Sequence, residues 1–213
     1  MKSVRIVFSK TGRAKYVSHL DLVRAMTRAV RRADIPLWYT EGFNRHPYLT
    51  FASPLSLGYE GLRESMDIRM EEDIPFGELV ERLNRVLPEG LIALSAADAV
   101  AKAGDLAASE YRLTIQLPAT VIRNALSAQE LLVEKRTKKK TMKTIDILPY
   151  FKNATVEEKG EGTTVVTVTL PSGGAKNVNP GLFITALQAI VDTEVTAEVL
   201  RLRLLLADGS EFL

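Results

Sequence analysis

The chain has 213 residues and no cysteine, which excludes disulfides, thiolate zinc sites, cysteine nucleophiles and an iron–sulfur cluster held on its own thiolates. A chain of this length buries roughly 70% of its unfolded surface, enough for one large domain or two small ones without staples. The net charge of +2 hides a segregation: residues 1–50 carry ten Lys/Arg against three Asp/Glu, 51–100 four against ten, 101–150 nine against five, and 151–213 five against eight. A polarised surface with a basic face suits an anionic partner.

Taken in chain order, Val4, Ile6 and Phe8 alternate with polar neighbours and predict a strand over 3–9. Ser18 then opens a helix, with Asp21 three residues on in a capping-box pattern. Leu22, Met26, Ala29 and Ala33 share one face of that helix, and Arg24, Arg28 and Arg31 the opposite one. Ile35-Pro36 ends it. The stretch 37–60 is rich in rings, Pro and Gly and reads as a structured loop with a strand near 48–52. Met66, Ile68 and Met70 alternate in a further strand. Pro75 opens a helix whose apolar face is Phe76, Leu79, Val80, Leu83 and Leu87; Pro88-Glu89-Gly90 stops it, and a strand follows near 91–97. The order βαββαβ is that of a ferredoxin-like lobe.

The second half is expected to repeat it. Tyr111, Leu113, Ile115 and Leu117 alternate; a helix follows at 119–128, then strands near 130–135, 144–148 and 163–170. Pro180 opens a helix carrying Leu182, Phe183, Ala186, Leu187 and Ile190. The last strand, 194–206, changes phase between Val199 and Leu200, which suggests a bulge. The predicted fold is therefore α+β, two tandem ferredoxin-like (βαββαβ) lobes, 1–104 and 105–213, joined through the small residues around Gly104.

The side chains suited to chemistry concentrate in residues 10–58. Both histidines, His19 and His46, lie there. His19 sits at a helix start, where the dipole favours the neutral ring, and with His46 and Asp21 forms the candidate acid–base group. The Arg24/Arg28/Arg31 stripe with Arg32 beside it has little acid interleaved, and with the run Lys138–Lys139–Lys140 it suits phosphates. Tyr39, Phe43, Asn44 and Arg45 add base-contacting groups beside it, since single-stranded bases stack on rings. For Trp38 and Phe51 a core position is the expectation. There is no P-loop, no dinucleotide-binding glycine fingerprint and no nucleophile elbow, so no cofactor and no metal is expected.

As a set, Lys10-Thr11-Gly12, Ser18-His19-Leu20-Asp21 with Arg24, Arg28-Ala29 with Arg31-Arg32-Ala33, Gly42-Phe43-Asn44-Arg45-His46-Pro47 and Phe51-Ala52-Ser53-Pro54-Leu55 with Gly58 resemble the radical-SAM-linked protein family, a bacterial domain of unknown function found alone or attached to radical-SAM proteins. Glu64-x-x-Asp67 and the basic run Lys135–Lys143 fit it more loosely, and Arg45 stands where that family has Pro. The resemblance implies work beside RNA or a radical-SAM protein. Tandem ferredoxin-like lobes also resemble the CRISPR RNA-processing endonucleases. Two functions follow as expectations: an RNA-binding or substrate-presenting accessory module working with a radical-SAM protein, or a metal-independent ribonuclease or transferase using His19 and His46. No apolar run approaches the roughly 20 residues of a membrane span, and the charged start has no signal-peptide core, so a cytoplasmic protein without a membrane partner is expected.

Overall fold

The computed structural model describes residues 2–136, 141–174 and 176–213. The fold is mixed α+β, and the chain forms two compact units. Unit 1 runs to Ala107 and takes back Arg201–Leu213; unit 2 is Ala108–Leu200. The sequence reading gave the whole C-terminus to the second lobe. The return of the last residues to unit 1 is a long-range pairing that no local pattern encodes.

Unit 1 contains β1 (Lys2–Lys10), α1 (His19–Arg32), β2 (Leu49–Phe51), β3 (Glu60–Met70), α2 (Phe76–Asn84) and β4 (Leu91–Asp98). Its strands lie in the order β4-β1-β3, with β2 paired to β3, and all three pairings are antiparallel. Val4, Ile6 and Phe8 of β1 and Met66, Ile68 and Met70 of β3 pack with Leu22, Met26 and Ala29 of α1 and Leu79 and Leu83 of α2. The helical spacing of those apolar residues is what turns both helices onto one face of the sheet. Gly90, after α2, has φ +84°, and a Cβ there would stand 2.5 Å from the Thr11 carbonyl. Only glycine closes this turn, whose carbonyl accepts from Thr11 N–H at 2.9 Å.

The alternation in β1 predicted one buried face, yet Arg5, Val7 and Ser9 are buried too. Part of the reason lies in the returning C-terminus: Phe212 packs with Leu106 and Leu204 in a second small cluster, and the Arg5 guanidinium lies 3.7 Å from the centre of the Phe212 ring.

Unit 2 contains β5 (Ala108–Ile115), α3 (Ala119–Leu126), β6 (Leu132–Arg136), β7 (Met142–Asp146), α4 (Leu148–Phe151), β8 (Thr155–Gly160), β9 (Thr163–Pro171), α5 (Gly181–Val191) and the start of β10 (Ala197–Leu205). β5, β9 and β8 pair antiparallel in that order, while β6 and β7 form a separate hairpin. Its core includes Leu113, Ile122, Val166 and the stacked rings of Phe151 and Phe183, 4.6 Å apart. β8 and α4 were not predicted. The expected phase change in β10 falls later than read: Val199 and Arg201 are both buried, and the alternation breaks at Arg203, which is exposed, before the buried Leu204 and Leu205. An arginine, not Leu200 or Leu202, takes the inward position.

Candidate nucleic-acid interface

α1 begins as its sequence dictates. Ser18 has extended backbone and its hydroxyl accepts from Asp21 N–H at 3.2 Å. Asp21 does not reach back to the Ser18 backbone; its carboxylate takes the Ser18 O–H at 2.7 Å and an Arg24 N–H at 3.1 Å. The Ser18 hydrogen bond first, and Arg24 second, hold the Asp21 carboxyl below the usual carboxylate range. An exposed carboxylate engaged in this way supports the helix start. The sequence reading found too little acid to pair the stripe, but Asp21–Arg24 does form an ion pair.

Beyond Arg24 the stripe is less compensated. Arg28, Arg31 and Arg32 line a groove of about 410 Å³ with Ala25 and Pro88. Arg32 donates to the Val86 carbonyl at 2.7 Å. Arg31 lies 5.8 Å from the centre of the Tyr39 ring. Among the described residues neither Arg28 nor Arg31 has an acidic partner.

The loop after α1 is a pinned hairpin. Trp38 N–H donates to Arg69 O at 2.9 Å, Tyr48 N–H to Trp38 O at 3.1 Å, and Thr40 N–H to His46 O at 2.9 Å, while Tyr39 and Pro47 bridge. Gly42, at φ +115°, supplies the turn at its end. Residues 41–46 are exposed, and the Phe43 ring has 103% of its reference exposure. Asn44 and Arg45 stand beside it. The His46 ring stays within the hairpin: its Nδ1 lies 3.0 Å from Asn44 O and 3.2 Å from Thr40 Oγ1. At the base, Arg69 lies 4.1 Å from the Tyr48 ring centre and 5.3 Å from that of Trp38. Trp38, read as core, is half-buried and forms part of this ring–cation cluster.

His19 is half-buried with its ring edge-to-face on Phe51, 5.3 Å between centres, and its Nδ1 is buried without a hydrogen-bond partner. The neighbours of the two histidine rings are thus different residues. Lys138, Lys139 and Lys140 lie outside the described residues. Among the described residues no group of three or more His, Asp or Glu side chains is placed to hold a metal.

A family model matches residues 3–180. The chain belongs to the family described as an uncharacterized protein conserved in bacteria (DUF2344). None of the curated proteins matches it. Among solved structures it is similar to a chain of the crystal structure of a Cbf5-Nop10-Gar1 complex, with a TM-score of 0.54 and 12% identity over 94% of this chain and 48% of that one. This chain spans about half the length of that relative, and at such identity the likeness concerns fold alone. It does not establish the lobes as ferredoxin-like.

Several motif residues serve inside unit 1 instead of at the interface. Arg201 Nε donates to Glu64 Oε1 at 2.8 Å, and its second nitrogen reaches Glu64 Oε2; Arg201 also donates to Ser53 Oγ at 3.1 Å and Ser53 O at 2.9 Å. Lys10, 1% exposed, donates to Lys15 O at 3.1 Å. Burial pushes its pKa below the ordinary 10.5, against the pull of Glu64. Arg5 clasps Asp67 at 2.7 and 2.8 Å and donates to Ala101 O and Leu213 O. The Glu64-x-x-Asp67 spacing was visible in the sequence; its partners Arg5 and Arg201, distant in the chain, were not.

Proposed function

We propose that this protein binds single-stranded RNA through the α1 arginine face and the 38–48 hairpin, and presents it to a radical-SAM partner. One observation carries the reading: a hairpin pinned by backbone bonds holds the Phe43 ring fully in water beside Arg45, with Tyr39 under Arg31. A single exposed ring is ordinary on a protein surface. A rigid hairpin that joins such a ring to cations and to the groove of Arg28 and Arg31 combines the two devices of single-strand binding, stacking and phosphate neutralisation.

The resemblance to the radical-SAM-linked family supports the partner. With no cysteine in this chain, the cluster belongs to that partner. In unit 1 the β4-β1-β3-β2 order, antiparallel throughout, supports a ferredoxin-like lobe. In unit 2 the β6-β7 hairpin and α4 interrupt the pattern. The ribonuclease or transferase reading has less support, because acid–base catalysis requires both rings within reach of one substrate.

The test is fluorescence anisotropy with a labelled single-stranded RNA oligomer across a salt series. Affinity is expected to fall with salt. Phe43→Ala is expected to remove about 1–3 kcal/mol, the contribution of one stacked base, without changing the salt slope. Charge reversal at Arg28 and Arg31 should flatten the slope. Binding unchanged by both substitutions would end the proposal.

A further inference from the structure

The groove along α1 does not stop at Arg32. A second cavity of about 350 Å³ is lined by Arg32, Ala33, Asp34, Arg82, Arg85 and Val86, so Arg32 borders both. Arg82 donates to Asp34 O at 2.9 Å, and Arg32 to Val86 O at 2.7 Å. These two bonds cross in opposite senses between the C-terminal segments of α1 and α2 and fix the spacing of the walls. Each guanidinium has five N–H donors, so a carbonyl contact leaves others for a ligand. Asp34 is the one carboxylate among the residues that line this cavity, while Glu78 pairs with Arg82 and Glu81 with Arg85, each at i,i+4.

We propose that α1 and α2 form one channel for the sugar–phosphate backbone, in which Glu78 and Glu81 hold Arg82 and Arg85 until phosphates displace them. This deepens the RNA-binding reading and rests on it. The trade is most favourable at Arg85 and Glu81, which are 73% and 71% exposed, since ion pairs in water contribute little; the Arg82–Glu78 pair, 33% and 43% exposed, gives way less readily. A phosphate accepts both N–H groups of a guanidinium fork and releases counterions from the strand as it does so. Arg28 and Arg31, which have no acidic partner among the described residues, form the open end nearer the hairpin. The strand would run from bases stacked at Phe43 along α1 to α2.

The experiment is RNA-oligomer binding by the full chain between 50 and 200 mM salt. Single strands lose about 0.7 in log–log slope for each phosphate contact removed. Arg82→Gln with Arg85→Gln is therefore expected to lower the slope by about 1.4 and weaken binding about 25-fold at 0.1 M salt. Glu78→Gln with Glu81→Gln should act in the opposite direction and tighten binding, because the competing carboxylates are gone. Arg85→Gln alone, which breaks only the exposed Glu81 pair, keeps the test sound if loss of the Arg82–Asp34 bond unfolds the double variant. Wild-type binding that needs Arg28 and Arg31 but ignores Arg82, Arg85, Glu78 and Glu81 would confine the site to α1 and overturn the channel while leaving the RNA reading intact. Absence of RNA binding at 50 mM salt would overturn both. A polyglutamate of equal charge competing as well as the RNA would assign the channel to an acidic protein and overturn it as well.

Discussion

At the scale of single residues, unit 1 is organised around ionic groups that a sequence places last in a core. Arg5 and Arg201, 0% and 1% exposed, each hold a carboxylate of β3 in a two-pronged grip. Removing one member of such a pair leaves the other charged and desolvated, which costs about 3–5 kcal/mol. Arg201→Met is therefore expected to destabilise by that amount in urea unfolding. Lys10→Met should stay within about 1 kcal/mol of wild type, because it removes one hydrogen bond to Lys15 O together with a poorly solvated charge. The pH dependence separates the two. A buried lysine with a lowered folded pKa binds its proton less tightly than the unfolded chain does. Between that lowered value and 10.5 the unfolded state carries more protons, so stability contributed by Lys10 rises with pH across this window and is flat below it. Unfolding free energies of wild type and Lys10→Met at pH 8 and pH 10.5 test this. An equal rise in both proteins would remove Lys10 as its source.

At the scale of elements, α1 depends on the Ser18 hydroxyl for its first turn, and Ser18→Ala is expected to cost about 1 kcal/mol. The Asp21 contribution is present above the unfolded carboxyl pKa and lost as pH falls through the lowered folded value, since Ser18 and Arg24 favour the charged form. A thermal-melt series from pH 6 to pH 2 on wild type and Asp21→Asn checks it: the difference between the two should close in acid. The same helix shows why some elements were legible in the sequence and others not. Its cap and its 3.6-residue apolar repeat agree, and the helix starts after Ser18 as read and ends at Arg32, just short of the expected stop at Ile35-Pro36. β8 carries one partly buried residue, Val156, among exposed Thr, Glu and Lys, because its only described pairing is to β9 along one side. A strand with no buried face leaves no alternation to read. Arg201 was missed for a related reason. It stands among leucines, and hydrophobicity assigned the inward position to them, whereas Glu64 and Ser53 determine which side chain turns in. The hairpin lies within the stretch 37–60 that its Pro and Gly marked as a structured loop. The share of α2 in the basic groove was not readable, because Arg82 and Arg85 resemble ordinary i,i+4 surface pairs until the fold brings them to Arg32.

At the scale of the whole molecule, the chain leaves unit 1 at Ala107 and re-enters it at Arg201. Unit 1 is therefore incomplete as a continuous fragment. Residues 1–107 contain Glu64 without Arg201, a buried carboxylate whose cation the fragment lacks, while Arg5 keeps Asp67 and loses only Phe212 and the Leu213 carbonyl. They also leave Leu106 without Leu204 and Phe212. One unpartnered buried charge alone costs a large part of the roughly 5–15 kcal/mol that stabilises a domain. The fragment is expected to show no cooperative unfolding transition. Joining Ala107 to Arg201–Leu213 through a short linker should restore one. Ala107 N–H donates to Leu205 O at 2.9 Å, and Leu205 lies four residue steps along the strand from Arg201, about 13 Å at 3.3 Å per residue. A Gly/Ser linker of about eight residues has a typical reach of roughly 16 Å and spans that gap. Circular dichroism and urea unfolding of the two proteins give the answer. Cooperative unfolding of residues 1–107 alone would mean that Arg201 and Phe212 decorate a core already complete, and the account of Glu64 as a partner-dependent charge would fail.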